Sequence, residues 1–573
     1  MDPVSERLWL LRNENPDLSA LNEFAAEFQL PQLIARILVS REPSLTLARD
    51  FLNARLADLP DPFLLPDMEA AVNRLQLALE RGEKIAIHGD YDVDGMTGTV
   101  LLFVGLQAMG CEQVEYHIPL RLRDGYGLCA EALQKASAEG VTVVVSVDCG
   151  VTALAEAALA RECGLDLIIT DHHQPPDELP DAIAVINPKR HDSDFPFADL
   201  AGVGVAFFLL VALRKRLRDC GWFRQRSEPD LRNVLDLVAL GTIADLVPLK
   251  GINRTLTRHG LALLEQGQRV GVRALKQVAG VKEVSCSVVG FQMAPRLNAA
   301  GRMEDAGLGV ELLLEEDLVR ALNTARYLDQ CNRERRLIEK ETLQQAERAV
   351  AGLGAEHTHA IVLAAEGWHS GVIGIVASRL VERYARPTVL IALQGPMGKG
   401  SCRSIKGFHL YHGLQSCADH LLSFGGHEMA AGLSVATEEF PAFAAVFESH
   451  AREVLSDKDL QAKLYHDGTA LLEEMDLAVL RQLEALAPFG MGNPEPVLLV
   501  ESVRAMQVKT VGDTHLRFTA CQDAFSHPAI AFGMLGRREE FQGELDLLVS
   551  PQINRYNGRE TVQLRVKDVR PAR

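Results

Sequence analysis

The sequence predicts an α/β protein: a parallel sheet preceded by helices, a long connecting helix, a second and smaller α/β domain, and a small closed β-barrel at the C-terminus. Three observations carry this expectation. Runs of Val and Ile that are apolar on both faces, each separated from the next by a helical stretch, recur between residues 84 and 188, as in a parallel sheet covered on both sides. Residues 311–350 are densely charged and contain neither Pro nor Gly, which suits one or two long helices. From Lys458 onward, short alternating strands are punctuated by turn residues, the texture of a small barrel.

Size and composition bound the rest. At 573 residues and 47% hydrophobic content, the chain is too long for one core, and about three to four domains are expected. The ten Cys are scattered without CxxC pairs, which argues against a disulfide scaffold or zinc ribbon and for reduced thiols in a cytoplasm. The start, Met1-Asp2-Pro3-Val4-Ser5-Glu6-Arg7, has no apolar leader, and no run of about 18 apolar residues occurs, so export and membrane insertion are not expected. A net charge of −18 speaks against coating duplex DNA with a generally basic surface, though it permits a narrow basic channel.

In order, residues 1–80 read as helices, with Leu30, Leu33, Ile34 and Ile37 on one face. Strands are expected at Lys84–His88, Val114–Pro119, Val141–Val147, Leu165–Thr170 and Ala182–Ile186. Ligands of such sheets bind beyond the carboxyl ends of the strands, and that is where Asp92, Asp94, Asp148 and His172 fall. A helical block from Leu231 runs into Asp245; alone, that Asp could simply cap the helix. In the connector, Arg333, Arg335 and Arg336 read as solvated or salt-bridged. A second αβ unit follows, with strands at His359–Ala364 and Pro387–Ala392 and Gly-rich segments at Gly400–Ser404 and Gly425–Gly432. Glycines let backbone N–H groups approach a phosphate, and Arg403 and Ser404 can grip its oxygens. Five short strands within about 80 residues, near 497–509, 516–520, 529–532, 545–551 and 561–569, fit a barrel of the oligonucleotide-binding type, with Asn557-Gly558 as a hairpin turn. Phe518, Phe532 and Tyr556 beside several Arg make it a candidate single-strand binder; a purely structural barrel is the alternative. The divisions are 1–310, 311–352, 353–457 and 458–573.

The stretch Lys84–Gly95 organises the chemistry. An apolar strand ends in His88, Asp90, Asp92 and Asp94, more negative charge than a fold tolerates without a cation. Together His88, Asp92, Asp94, Asp148, His172 and Asp245 combine carboxylate with imidazole and lack thiolate, a set that favours Mn²⁺ or Mg²⁺ over structural zinc. A bridging Asp between two ions would give a site that activates water and stabilises both oxygens of a phosphoryl transfer. No Gly-x-Ser-x-Gly nucleophile motif or Walker P-loop competes.

His88-x₃-Asp92-x-Asp94, then Asp148-Cys149-Gly150, then Asp171-His172-His173 and Asp245 resemble the successive motifs of the DHH phosphoesterase superfamily. Gly425-Gly426-His427-x₂-Ala430-Ala431-Gly432 resembles the signature of its DHHA1 partner domain. Within that superfamily the chain is most similar to the bacterial single-strand-specific 5′ to 3′ DNA exonucleases. The similarity rests on His88–Gly95, on Arg121 ahead of Gly125-Tyr126-Gly127, on Ala294–Arg302 including Arg296 and Asn298, and on Tyr556-Asn557-Gly558-Arg559. The resemblance implies one Mn²⁺ on His88, Asp92 and Asp148 and a second on Asp94, Asp148, His172 and Asp245, with Asp148 as bridge and Mg²⁺ as the alternative metal. It implies His173 as donor to the scissile phosphate and Asp90 and Asp171 as groups that orient ligands. Arg121, Arg302, Ser401 and Arg403 become candidates for the 5′ phosphate, with Arg123 able to replace Arg121; Arg296, Asn298, Ser404 and His427 are further substrate candidates. It also implies stepwise release of 5′ mononucleotides by a monomer in recombination and repair, beside a single-strand DNA-binding protein and a repair helicase.

Two other functions share these residues. A small-nucleotide phosphodiesterase would use the same metal head but would not need the barrel or the connector. A non-catalytic replication scaffold of the same fold would be expected to have lost ligands, and all six positions are intact.

Overall fold

The protein is described here from a computed structural model covering residues 7–13, 20–42, 44–120, 127–303, 305–353 and 358–572. It divides into two compact units. One holds Leu11–Asp329 and the chain from His466; the other holds Gln330–Tyr465 with the residues up to Leu10.

The first unit is built on five parallel strands in the order Val114–His117, Lys84–Gly89, Val141–Val147, Asp166–Thr170, Ala184–Ile186. Its strands are apolar on both faces because each face has its own core. Ile85, Ile87, Val143, Val145, Val147 and Ile168 enter one cluster with helices Val93–Ala108, Gly202–Asp219 and Leu235–Ala244. Their neighbours Ala86, Val144, Leu167 and Ile169 enter the other with helices Ala130–Ala138 and Leu154–Glu162, the period of two expected of a strand. After the first strand the chain adds a neighbour on one side, then crosses to the other. That reversal opens a crevice between Lys84–Gly89 and Val141–Val147, the switch point at which such sheets take ligands.

The same unit contains the barrel. Strands Leu498–Val511, His515–Gln522, Phe525–Ala531, Arg559–Pro571 and Glu544–Tyr556 close in that order. All pairings are antiparallel except Phe525–Ala531 with Arg559–Pro571. The hairpin turn at Asn557 and Gly558 has φ of 49° and 73°, as a type I′ turn requires. The barrel interior, including Val500, Leu516, Phe518, Leu547 and Leu564, is continuous with Phe24, Ile34 and Ile37 of helices Leu21–Phe28 and Gln32–Arg41. Arg254 is fully buried at this junction and donates to the carbonyls of Phe51, Leu486 and Ala485.

Several elements differ from the sequence reading. Leu8–Leu11 is a strand inside the region read as helical, and it pairs with Lys463–His466. A helix, Leu477–Leu483, interrupts the region read as all-β. The connector agrees with its reading: it takes in the end of helix Gly307–Leu314 and the long helix Leu318–Leu353, and Arg335 is salt-bridged to Glu339 at 2.8 Å while also donating to Asn332.

The second unit has a mixed sheet ordered Ser423–Gly426, Ala430–Ala436, Met397–Arg403, Thr388–Gln394, Ile361–Glu366, with only the last pair parallel. Gly400 lies within strand Met397–Arg403 and not in a turn. A Cβ there would lie 2.7 Å from Leu433 Cδ1, so the glycine serves close packing.

Candidate metal centre

Three strand ends place the acidic groups. Beyond the last strand residues the ladder continues one step: the N–H groups of Asp90, Asp148 and Asp171 donate to Val147 O, Thr170 O and Ile186 O at 3.3, 3.0 and 3.1 Å. Asp148 takes a left-handed backbone, φ 63°, which costs a non-glycine residue about 1–3 kcal/mol and persists at sites that need it. The helix Val93–Ala108 starts at the adjacent strand end. Asp92 caps it, Oδ1 accepting from the N–H groups of Asp94 and Gly95 at 2.8 and 3.1 Å. Asp94 is fixed by the start of another helix, Gly202 N–H donating to Oδ2 at 2.7 Å and Val203 N–H to Oδ1 at 2.9 Å. Asp245 closes the set from the C-terminal end of Leu235–Ala244.

These side chains converge. His172 Nε2 lies 3.0 Å from Asp148 Oδ1, 3.6 Å from Asp245 Oδ2 and 4.0 Å from Asp94 Oδ2. Ligand atoms of Asp94, His172 and Asp245 fall within 4.8 Å of one another, and so do those of Asp90, Asp92 and Asp148, and of Asp148, His172 and His173. Asp90, expected only to orient ligands, is thus also placed as a donor. His88 is buried at the end of its strand, in register with Ser146. It is outside these three groups, and among the described residues its Nδ1 has no hydrogen-bond partner.

The electrostatics fit a cation. Burial, then Asp92, pushes the Asp94 carboxyl up to about 7, against the pull of the Val203 and Gly202 N–H groups. Burial and then Asp94 and Asp92 hold Asp148 and Asp245 well above the usual carboxylate range. Burial, assisted by His117 and His173 respectively, lowers His88 and His172 to about 3, so both imidazoles are neutral and offer lone pairs. Carboxylates crowded until they resist ionisation, next to neutral buried imidazoles, suit divalent cations with oxygen and nitrogen ligands.

The Asp171 carboxylate is a hub beside the centre. It accepts from Val151 N–H at 2.9 Å, from His172 and His173 N–H at 2.7 and 3.0 Å, and bonds His173 Nδ1 at 2.8 Å. Burial alone would raise its pKa, but His173 and these N–H groups hold it below the usual value. In return Asp171 raises His173, overcoming the opposing effect of burial. Sequence reasoning missed Asn187, fully buried, whose Nδ2 donates to His173 O at 2.8 Å, and Gly202, for which no motif gave a signal.

The substrate candidates fare differently. Arg121 and Arg123 lie outside the described residues. Helix Ala294–Met303 presses on the acidic loop: a Cβ at Gly301 would lie 2.8 Å from Tyr91 O, and Arg302 is the next residue of that helix. Asn298 is half-buried on the same helix. Arg296 is drawn into an ion pair with Asp329 at 2.9 Å and a bond to Gln292 O, a helix-fixing role. In the second unit Ser401 and Arg403 share one strand face, as alternate residues do. Arg403 Nη1 donates to Ser401 Oγ at 3.3 Å. A Cβ at Gly374, in the first turns of helix Ser370–Tyr384, would lie 2.8 Å from Ser401 Oγ and 3.2 Å from Arg403 Nη2. Ser404 is a correction: it is buried and its hydroxyl donates to Phe408 O at 2.6 Å, closing a loop instead of facing a ligand. His427 is exposed in the hairpin between Ser423–Gly426 and Ala430–Ala436, its N–H donating to Ala430 O at 2.8 Å.

Comparison with known proteins agrees with this arrangement. Residues 84–242 match the DHH family, N-terminal domain, residues 357–453 the DHHA1 domain and residues 466–568 the RecJ OB domain. The chain is 37% identical over 570 residues to the single-stranded-DNA-specific exonuclease RecJ of Bacillus subtilis, covering 97% of this chain and 70% of that protein. It is 38% identical to the enzyme of the same name from Salmonella typhimurium, covering 95% and 96%. The crystal structure of RecJ in complex with Mn²⁺ from Thermus thermophilus superposes with a TM-score of 0.83 at 32% identity, over 99% of this chain and 80% of that one. With its sheet, acidic strand ends, partner domain and barrel all accounted for, this chain belongs to the RecJ family of single-stranded-DNA-specific exonucleases.

Proposed function

We propose that the protein is a metal-dependent exonuclease specific for single-stranded DNA, degrading it from the 5′ end to mononucleotides in recombination and repair. The observation that supports this most directly is the convergence of Asp90, Asp92, Asp94, Asp148, His172 and Asp245 at the carboxyl end of the parallel sheet. One cation would be held by Asp92 and Asp148 with His88 or Asp90, the other by Asp94, Asp148, His172 and Asp245. Bound there, Mn²⁺ or Mg²⁺ lowers the pKa of water and neutralises charge on the phosphoryl oxygens.

The chain's own residues do the rest. Asp148 lies between the two groups of donors and serves both. His173, whose proton affinity Asp171 raises against burial, has Nδ1 engaged, so a proton for a phosphate oxygen would come from Nε2. Asp90, Asp94 and Asp148 are almost fully buried and Asp92 and Asp245 only partly so, so a phosphodiester reaches the inner carboxylates only as a single strand whose backbone can bend inward. Ser401 and Arg403, beside the positive end of a helix, support the reading of an anchor for the terminal phosphate. A helicase partner suits an enzyme that rejects duplex, and a single-strand-binding protein would present its substrate. The ten cysteines form no disulfide, which supports a reducing cytoplasm, and among the described residues no helix is long and apolar enough to cross a membrane.

The test is digestion of 5′-labelled and 3′-labelled single strands, and of the matching duplex, with Mn²⁺ or with EDTA. Early release of the 5′ label as a mononucleotide, only from single strands and only with metal, is expected. Release of the 3′ label first would overturn the polarity; intact strands would overturn the activity.

A further inference from the structure

Leu246 occupies a position that neither its backbone nor the core favours. It follows Asp245 at the end of helix Leu235–Ala244 with φ of 63°, the left-handed position that helices commonly give to glycine. Nine non-glycine residues have positive φ among the described residues, and the other eight are Gln29, Asp67, Asp148, Ala385, Ser502, Gln507, Asp523 and Asn557. Leu246 is the sole large aliphatic side chain among them. It also adds little to the interior, being 63% exposed. A single exposed leucine is ordinary; one forced into this conformation beside a metal ligand calls for a contact that repays the strain.

The backbone around it is held on both sides. The N–H of Leu246 faces Ile243 O at 3.4 Å, and Leu249 N–H donates to Met491 O at 2.8 Å. Asn253 Nδ2 donates to Pro248 O at 3.1 Å. The turn that receives Leu249 packs closely enough that a Cβ on Gly492 would meet Pro248 Cβ at 3.0 Å. The isobutyl group therefore projects from a fixed point, one residue from the carboxylate that stands 3.6 Å from His172 Nε2. A second apolar group flanks the same helix end. Phe291, 74% exposed, belongs to the π-helical turn Val289–Met293, a kind of irregularity frequent at functional sites. Its neighbour Gly290 approaches Ile243, the Cβ position lying 3.9 Å from Ile243 Cγ2.

We infer that Leu246 is a substrate-contacting residue, an apolar rest for the sugar or base of the nucleotide whose phosphate enters the metal centre. This inference rests on the single-strand nuclease reading. A phosphate at the carboxylates brings its own nucleoside to the surface beside Asp245, and Leu246, the next residue, is exposed there. The contact reads no hydrogen-bonding edge, so it suits an enzyme that must accept any base, as apolar and stacking contacts to single strands do.

Leu246→Gly and Leu246→Ala separate this role from a structural one. Glycine relieves the backbone while removing the side chain. Its unfolding temperature in EDTA is expected to equal or exceed that of the parent, while KM for a 5′-phosphorylated oligothymidylate rises about tenfold. Anisotropy with the same labelled strand in EDTA should show an equal loss of affinity. Leu246→Ala should lose affinity likewise, and Leu246→Met should restore most of it. Unchanged KM and affinity in the Gly and Ala variants overturn the contact, and so does a lowered unfolding temperature in Leu246→Gly, which would mark the side chain as structural. A parent protein that leaves the strand intact with Mn²⁺ overturns the nuclease reading itself, and this inference with it.

Discussion

Gly202 stands so close to Asp148 that a Cβ on it would lie 2.6 Å from the Asp148 Cβ and 2.8 Å from its Oδ1. The same glycine gives its N–H to Asp94 Oδ2 at 2.7 Å. One position therefore sets two of the carboxylates, and misplacing reacting groups by about 1 Å costs about a hundredfold. Gly202→Ala is expected to lower kcat/KM at least that far and to weaken Mn²⁺ binding in a calorimetric titration. Gly204→Ala on the same helix, whose Cβ would meet nothing closer than Leu200 Cδ2 at 3.5 Å, is expected to keep both. Equal effects of the two substitutions would deny Gly202 its role.

The Asp171–His173 pair has a defined pH signature. His173 is raised above its ordinary value, so its contribution to stability and its proton are fully present below the unfolded pKa near 6.5 and lost as pH rises through the folded one. Asp171 is lowered, so its share is present above its unfolded value near 3.8 and lost as pH falls through the folded one. Asp171→Asn removes the charge that raises the pKa of the imidazole. The alkaline limb of kcat/KM should move to lower pH in that variant, with about a 10–100-fold loss at the optimum. A limb that stays in place would detach His173 from the chemistry.

Protons compete with the metal at Asp94. Its carboxyl, raised to about 7 by burial and by Asp92, is largely protonated at pH 6 without a cation, and a bound cation must displace that proton. Mn²⁺ affinity should therefore rise with pH between 6 and 7. At pH 6, titration in buffers of different ionisation enthalpy should show proton release, and Asp94→Asn should release about one proton fewer. Equal release by parent and variant would mean that Asp94 is already ionised.

What the sequence made legible follows from locality. The strand His88 ends, Asp148 and His172 could be placed because apolar runs stop where charge begins, and a parallel sheet gathers such ends at one edge. Asn557 and Gly558 fixed a turn for the same local reason. Gly202 carried no such mark, because its duty is a close approach to Asp148, more than fifty residues away in sequence. Ser404 looked like a phosphate contact by composition, yet its hydroxyl is used by Phe408 O. The shared core of the barrel with Ile34 and Ile37 joins segments over 400 residues apart, and periodicity describes a face without naming what covers it.

Arg254 shows how that distant pairing is secured. Its guanidinium stacks 3.7 Å from the Phe51 ring centroid and donates to three carbonyls, two of them in the segment leading into the barrel. Burial lowers its pKa to about 10, so it remains charged at neutral pH. Arg254→Met keeps the apolar volume but leaves the carbonyls without donors. The loss should be about 2–3 kcal/mol, moderated because a buried cation no longer needs desolvation. The urea midpoint should fall accordingly while Mn²⁺ affinity is retained, since no metal ligand touches Arg254; an unmoved midpoint would make the three bonds incidental.

Whether the barrel binds DNA or only supports the fold is decided at Phe532. This ring is 47% exposed, with the Arg565 guanidinium 5.5 Å from its centroid and the His515 ring edge-on, the two ring centroids 5.0 Å apart. It lies outside the barrel core, so Phe532→Ala should leave unfolding unchanged. If the ring stacks on a base, its loss costs about 1–3 kcal/mol of binding, and affinity for a long oligothymidylate should fall about tenfold or more. A strand only a few nucleotides long, engaged at the metal centre alone, should be cut with unaltered kcat/KM. A barrel that is purely structural predicts instead that both substrates behave as with the parent protein. A loss shared equally by short and long strands would place Phe532 in the service of the metal centre, and would remove the reason to regard the barrel as a separate binding surface.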